Sequence, residues 1–253
     1  MIDLHSHILP GLDDGAQTLE ESLEIARAAV ADGIGVIAAT PHVRDDYPTG
    51  AGTMEGLVGE LRRALVQEEI RLDLRKGGEL AIDWLDRLSE EELRRFGLGG
   101  NPEYLLLEFP YYGWPLPLSH WVVHLRARGI TPVLAHPERN VDVQAMPGRL
   151  GELVDAGALV QVTSASLDGR LGRMPEETGL ELVELGLAHV LASDAHHASL
   201  REVGMKAAAA AIGDKALAQW LTSSVPAAII SGGPLPPRPA KRRWFGRSDA
   251  GRG

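Results

Sequence analysis

The ionisable residues of this 253-residue chain that could do chemistry gather in short clusters: His5 and His7 in HSH, His42 in TPH, Glu79 in GGEL, Glu108 in LLLEFP, His136 in HPER, and Asp194 with His196 in SDAH. Imidazole and carboxylate without thiolate suit manganese, iron(II) or zinc. Magnesium sites usually show fewer histidines. In extended chain, residues i and i+2 point the same way, so His5 with His7, and Asp194 with His196, can each address one place. A lone histidine is more often a surface or satisfied core residue than a ligand. Glu108 is harder to set aside, because an acid inside YLLLEFP would be partly buried and need a partner. Five of the nine histidines and three acids at equivalent positions make a joint pattern far stronger than its parts. The other four histidines read as structural or exposed. His120 and His124 are four apart but lack the glutamate of a zinc-protease helix, His189 precedes a strand, and His197 points away from His196 if the chain is regular there.

What must position these side chains is a recurring unit: an amphipathic run, a glycine, and a short apolar strand ending in polar residues. ARAAVADGIGVIAATPH, LRARGITPVLAHPER, LVDAGALVQVTSAS and LVELGLAHVLASDAH are four copies. Glycine after a helix is the usual C-cap, and a continuous apolar run is what a strand covered on both faces looks like. Ile2–Leu4, Ile70–Leu74 and Tyr104–Phe109 bring the strands to seven. Strands alternating with helices imply a parallel α/β sheet, and seven such units an incomplete or irregular barrel. Six of the seven strands end in, or just before, a candidate ligand, and in a barrel these ends converge on the face where enzyme sites lie. Thr18 and Glu21 form a capping-box signature for a helix carrying Leu19, Leu23, Ala26 and Val30. Met54 to Leu65 repeats at helical spacing, as do residues 201–221, with 227–230 continuing after Pro226.

Bulk properties narrow the function classes. The chain has no cysteine, which excludes disulfides, zinc–thiolate sites and a cysteine nucleophile. Net charge is −10, and residues 238–253 carry six Arg or Lys against one Asp. The rest is therefore strongly acidic, which argues against a nucleic-acid groove and fits a carboxylate site that needs cations. No apolar run is long enough for a membrane span. The opening MIDLHSHILP lacks the features of a signal peptide, so a cytoplasmic location is expected. One domain over residues 1–232 is expected. Residues 233–253, rich in Pro, Gly and Arg, read as a disordered tail whose KRRWF cluster could make weak contact with acidic surfaces.

HSHILPGLDDGA, TPH, GGEL, LLLEFP, HPER and SDAH, in that order over about residues 1–232, resemble the PHP (polymerase and histidinol phosphatase) superfamily. The likeness is closest to the bacterial PHP tyrosine phosphatases found with capsule and exopolysaccharide genes. It implies a distorted (β/α)7 barrel and a site for three divalent ions, manganese first, with iron or zinc as alternatives. By motif, His5, His7, Glu79 and Asp194 would hold one ion; Glu79, Glu108 and His136 a second; Asp14, His42 and His196 the third. Asp14 enters only through the resemblance, since Asp13-Asp14-Gly15 alone reads as a turn. Arg139 and Arg201 would bind phosphate, and His42 is a candidate general acid. The implied reaction is direct hydrolysis of phosphotyrosine by a metal-activated water. The implied substrate is a phosphotyrosine protein such as the tail of a bacterial tyrosine kinase. Val43, Ala81 and His197 depart from the family pattern without removing a ligand. Other readings are another PHP phosphoesterase, such as a histidinol phosphatase or nuclease, or a metal-binding regulatory module without activity. Tyr111, Tyr112 and Trp114 in FPYYGWPLP read equally as an aromatic wall for the substrate ring or as packing.

Overall fold

The computed structural model describes residues 1–198 and 203–240. Arg201 and the KRRWF cluster lie outside the described residues. The strands are β1 (Ile2–Ser6), β2 (Val36–Ala39), β3 (His42–Arg44), β4 (Tyr47–Pro48), β5 (Asp73–Lys76), β6 (Glu79–Ala81), β7 (Tyr104–Glu108), β8 (Thr131–Ala135), β9 (Leu159–Thr163) and β10 (Val190–Ala192). They form two sheets, ordered β1-β2-β5 and β10-β9-β8-β7-β6-β3-β4. Every pairing is parallel except β3 with β4.

All seven expected strands are present, that at 70–74 shifted to Asp73–Lys76. Two of the seven are split. One breaks at Thr40-Pro41, where proline has no N–H to give a ladder; the other breaks at Gly77-Gly78. A Cβ on Gly78 would sit 2.6 Å from the Phe96 ring, so only glycine allows that approach. Glu79 N donates to Pro41 O at 3.0 Å, carrying the pairing past both breaks. At the opposite edges, Asp194 N donates to His5 O and His7 N to Ala195 O, both at 2.8 Å. Ser6 and Ala195 form a bridge there. The strand neighbours therefore run in a ring: β1, β2 with β3, β5 with β6, β7, β8, β9, β10 and back to β1.

The strands are apolar because both faces are covered. Leu4, Ile37, Leu74, Leu80, Leu105, Leu106, Val133, Val160 and Val190 are essentially inaccessible. Truncating one such Leu or Ile to Ala typically costs about 2–5 kcal/mol. The first helix, Leu19–Ala31, starts where expected, with Thr18 accepting from Glu21 N. The reciprocal contact differs, because Glu21 Oε2 accepts from Gln17 N at 2.6 Å. The expected helix over 201–221 is broken. Met205–Ala211 ends before Gly213, whose φ is 74°, and Asp214 caps a new start at Lys215. A π-helical turn at Trp220–Ser224 precedes Val225–Ser231, which takes Pro226 in its first turn.

Residues 234–240, expected to be disordered, instead lie against the end of the ring opposite the strand C-termini. Trp220 Nε1 donates to Pro236 O at 3.0 Å. Arg238 donates to Ala188 O at 3.0 Å and Val183 O at 2.6 Å. A guanidinium satisfies carbonyls left over at a helix C-terminus, here that of Arg173–Leu185. The packed body thus extends past the expected boundary at 232. No helix among the described residues is long and apolar enough to cross a membrane.

Candidate metal centre

The nine expected ligands come together at the C-terminal ends of the strands. His5 is next to last in β1 and His7 follows the strand; His42 and Glu79 open β3 and β6; Glu108 ends β7; His136 follows β8; Asp194 and His196 follow β10. Asp14 reaches in from the loop after His7. A Cβ on Gly15 would fall 2.1 Å from His7 O, so glycine lets that loop fold tightly behind the histidine.

At the centre is Glu79, fully buried. Its Oε2 lies 3.3 Å from His5 Nε2, 3.4 Å from His7 Nε2 and 3.0 Å from His42 Nδ1; its Oε1 is 2.8 Å from His136 Nε2. Asp194 Oδ1 is 3.4 Å from both His5 Nε2 and His7 Nε2. Asp14 Oδ1 is 3.4 Å from His42 Nε2 and 3.3 Å from His196 Nε2. His5 Nε2 and His7 Nε2 face each other at 3.2 Å.

These separations test the fit of a cation. Two donors bonded at about 2.1 Å to one ion lie about 3.0 Å apart at a right angle and about 3.4 Å apart at a tetrahedral one. Most contacts in the cluster fall in that interval. Glu79 Oε2 and His42 Nδ1 are buried at 3.0 Å, yet neither has a hydrogen-bond partner among the described residues. Buried polar atoms without partners are rare and costly, and a cation between them would satisfy both. The residues present fit divalent metal ions.

Donor atoms fall into four overlapping groups: His7, Asp14, His42 and His196; His5, Glu79 and His136; His5, His7 and Asp194; His42, Glu79 and Glu108. The expected trio of Glu79, Glu108 and His136 is not among them. Arg44 Nη1 donates to Glu108 Oε1 at 2.6 Å, which leaves Oε2 turned to His42 at 3.9 Å. The alternation expected for Asp194 and His196 also fails. Asp194 has φ 55° and His136 φ 41°, left-handed conformations that non-glycine residues seldom adopt and that concentrate at functional sites. His196 Nδ1 still comes within 3.6 Å of Asp194 Oδ1, by a turn and not by strand geometry. His5 and His7 do converge as alternation requires.

Electrostatics follow from crowded carboxylates. Burial alone lowers a histidine pKa, and it dominates at His136, which drops to about 4. At His42 burial is outweighed by Glu79 and Asp14, and the value rises to about 9. Burial is likewise overcome at His7, raised mainly by Asp13, and at His5, raised by Glu79 and Asp194. Glu79 and Asp194 are held well below the carboxylate range despite burial, His5 being the largest opposing influence on each. The cluster demands positive charge.

Residues 1–228 match the family described as "Capsular polysaccharide synthesis, CpsB/CapC". The chain belongs to the CpsB/CapC family. It is similar to the tyrosine-protein phosphatase YwqE of Bacillus subtilis, 39% identical over 203 residues and 79% of each chain. It is also similar to a putative tyrosine-protein phosphatase, CapC, of Staphylococcus aureus, 31% identical over 81% of each chain. One solved structure, from work on YwqE of B. subtilis and CpsB of Streptococcus pneumoniae as unique metal-dependent tyrosine phosphatases, superposes with TM-score 0.84 at 33% identity. It covers 96% of this chain and all of that one. A histidinol phosphate phosphatase of Lactococcus lactis, TM-score 0.55 and 11% identical over 84% of this chain and 92% of its own, shares the fold.

In this CpsB/CapC chain a layer of partners behind the nine orients them, and sequence reasoning missed most of it. His5 Nδ1 donates to Gln161 Oε1 at 2.9 Å, His7 Nδ1 to Asp13 Oδ2 at 2.7 Å, and His196 Nδ1 to Asp194 O at 2.9 Å. Each bond commits the proton to Nδ1 and leaves the Nε2 lone pair facing inward. Asp3 accepts from Ser193 N and Oγ and from His5 N, tying β1 to the turn that carries Asp194. Glu138 accepts from Thr163 N and Ser166 Oγ and anchors the His136–Arg139 turn. Asp3 was findable: it is an acid inside an apolar strand, the same signal that marked Glu108. Gln161 and Arg44 carry no such signal.

Of the remaining expected residues, Arg139 Nη1 donates to Asp194 Oδ2 at 2.6 Å, beside the cluster. His42 turns both ring nitrogens toward carboxylates, which favours ligation over proton donation. His120, His124 and His197 are exposed, while Val43 is wholly buried.

Proposed function

We propose that this chain is a metal-dependent protein-tyrosine phosphatase holding three divalent ions, manganese first, with iron or zinc as alternatives. The observation that carries this reading is the fully buried Glu79, ringed by four imidazole nitrogens at ligand-to-ligand spacing. Kinship with YwqE supports the substrate class. Bound ions of this kind lower the pKa of a water and neutralise phosphoryl charge.

The chain's own residues do the rest. His5, His7, Glu79 and Asp194 would hold one ion. Asp14, His42 and His196, with His7 alongside, would hold another. Glu108, grouped with His42 and Glu79, and His136, 2.8 Å from Glu79 Oε1, would complete the set. Arg139, fixed through Nη1 by Asp194, would use its remaining donors to bind non-bridging phosphate oxygens as charge builds; Arg201 is proposed for the same task by motif. A tyrosine leaving group, pKa about 10, departs with less protonation than an alkoxide, so no dedicated acid is required. The proposed protein substrate is the tyrosine-rich tail of a bacterial tyrosine kinase, in the cytoplasm, with control of capsule or exopolysaccharide synthesis as the consequence.

Phosphate release by manganese-loaded protein from a phosphotyrosine peptide, with histidinol phosphate in parallel, tests this. Preference for the peptide, abolished in His136→Ala, is the expected result. Preference for histidinol phosphate would transfer the function to histidine biosynthesis.

A further inference from the structure

We propose that the cleft between Tyr111 and the Leu171–Pro175 segment is the aryl subsite that selects phosphotyrosine over alkyl phosphates. The inference rests on the phosphatase reading above. The cleft is open to solvent, has a volume of about 270 Å³ and is lined by Tyr111, Tyr112, Arg139, Val141, Leu171 and Pro175. That is below the ~300–1,000 Å³ of pockets for drug-sized ligands, a size suited to a single ring.

The cleft is continuous with the metal centre through one residue. The Arg139 guanidinium pairs with Asp194 at 2.6 Å and also lies 4.7 Å from the centre of the Tyr111 ring. A phosphoryl group held by Arg139 at the metal centre therefore has its ester oxygen beside this cleft, and the group attached to that oxygen enters it. The Tyr111 ring is held beside the metal centre: its plane lies 15° from that of His136, with centroids 5.9 Å apart, and its outer part borders the cleft. Tyr111 is 39% exposed, Val141 46% and Tyr112 80%. Exposed apolar groups gathered beside a polar centre mark a binding surface.

The wall is fixed in advance. Buried Asn140 donates through Nδ2 to Pro110 O at 2.7 Å and Gly113 O at 3.0 Å, and Val141 N donates to Tyr111 O at 3.1 Å. One of these bonds holds Tyr111 O itself and two hold its loop at Pro110 and Gly113, without any ligand, so little ordering entropy is lost on binding. Trp114 belongs elsewhere: it packs edge-on to Phe109 at 5.8 Å and under Arg149. The aromatic wall is thus Tyr111 with Tyr112, faced by Leu171 and Pro175. A phosphoserine side chain is too short to reach across the cleft and has no face to stack.

The test compares kcat/KM for an aryl phosphate, p-nitrophenyl phosphate or a phosphotyrosine peptide, with that for the matching phosphoserine peptide, using manganese-loaded protein. Tyr111→Ala and, separately, Leu171→Asp are expected to lower the aryl-to-alkyl ratio by about threefold to tenfold, the scale of one aromatic contact. Tyr111→Phe, which keeps the ring, is expected to retain most of it. Metal content should equal wild type in all three. An unchanged ratio in both Tyr111→Ala and Leu171→Asp overturns the subsite and leaves the phosphatase reading standing. Failure of the wild type to hydrolyse either substrate overturns both.

Discussion

Two imidazoles shielded from water at opposite ends of the ring, His42 buried and His189 partly so, have opposite fates. His42, at the strand C-termini, is raised to about 9, because Glu79 and Asp14 outweigh its burial. His189, just before β10 at the other end, is lowered to about 4 by burial, with Arg238 adding to the effect. Desolvation lowers both; the neighbours differ. The open end gathers carboxylates around imidazoles and leaves Glu79 Oε2 and His42 Nδ1 without hydrogen bonds among the described residues. The other end satisfies itself: Val160 N donates to His189 Nδ1, and Arg238 covers Ala188 O and Val183 O. A site shows itself by what it leaves unpaired; a scaffold shows itself by closure.

The sharpest way to break this contrast is Glu79→Gln. It keeps the shape but removes the charge that four histidines face. Hydrolysis is expected to fall by at least about 10³-fold, in line with loss of a group on which the metals and the developing charge both depend. Metal content measured on the purified protein should drop with it. Full metal loading in this variant would mean that Glu79 is merely a buried ion-pair partner.

Gln161→Leu probes the layer behind the site. Without the amide, His5 loses the acceptor that commits its proton to Nδ1. Metal affinity is expected to weaken about 10–100-fold, read by competition with a chelator, while the fold persists because Leu suits the β9 interior. An affinity equal to wild type would show that the His5 tautomer needs no enforcing.

The candidate ligands were legible in the sequence and the residues behind them were not, for a physical reason. A ligand at a strand end is a charged group interrupting an apolar run, visible from its own neighbours. Gln161 sits in LVQVT and acts across 156 residues on His5; nothing local reports that. Asp13 read as a turn residue, and it does bond Gly15 N, but its other oxygen serves His7 and His42 N. The splits in β2/β3 and β5/β6 come from a proline and a close approach to Phe96, and only the proline was readable locally. The Arg238 strap was hidden by composition, since Pro- and Arg-rich sequence reads as disordered until carbonyls and an indole offer it partners.

Arg44→Gln distinguishes a cation supplied by the chain from one that is bound. Glu108 would lose its 2.6 Å partner while still facing His42 and Glu79. In the presence of a chelator the variant is expected to be less stable by about 2–3 kcal/mol, the usual scale for a charge-assisted hydrogen bond. Added manganese should narrow the gap between variant and wild type in urea melts. A gap that manganese leaves untouched would place Arg44 outside the metal centre's charge balance.

His189→Gln makes the smallest change and tests the closed end alone. The folded protein holds His189 neutral down to about pH 4, whereas in the unfolded chain it titrates near 6.5. Between those values the unfolded chain binds a proton that the fold refuses. The contribution is therefore intact above pH 6.5 and is lost as pH falls toward 4. Allowing for the partial exposure of His189, the wild type should lose on the order of 1–2 kcal/mol more than the variant between pH 7 and pH 5. Glutamine offers an oxygen to Val160 N and does not titrate, so the difference between the two stability profiles isolates this one group from the carboxylates and histidines of the metal centre. Phosphatase turnover at neutral pH should stay unchanged, since His189 lies at the far end of the strand that carries Asp194. If turnover fell while the pH profiles stayed parallel, the two ends of the ring would be coupled, and the division between an unpaired site and a closed scaffold would not hold.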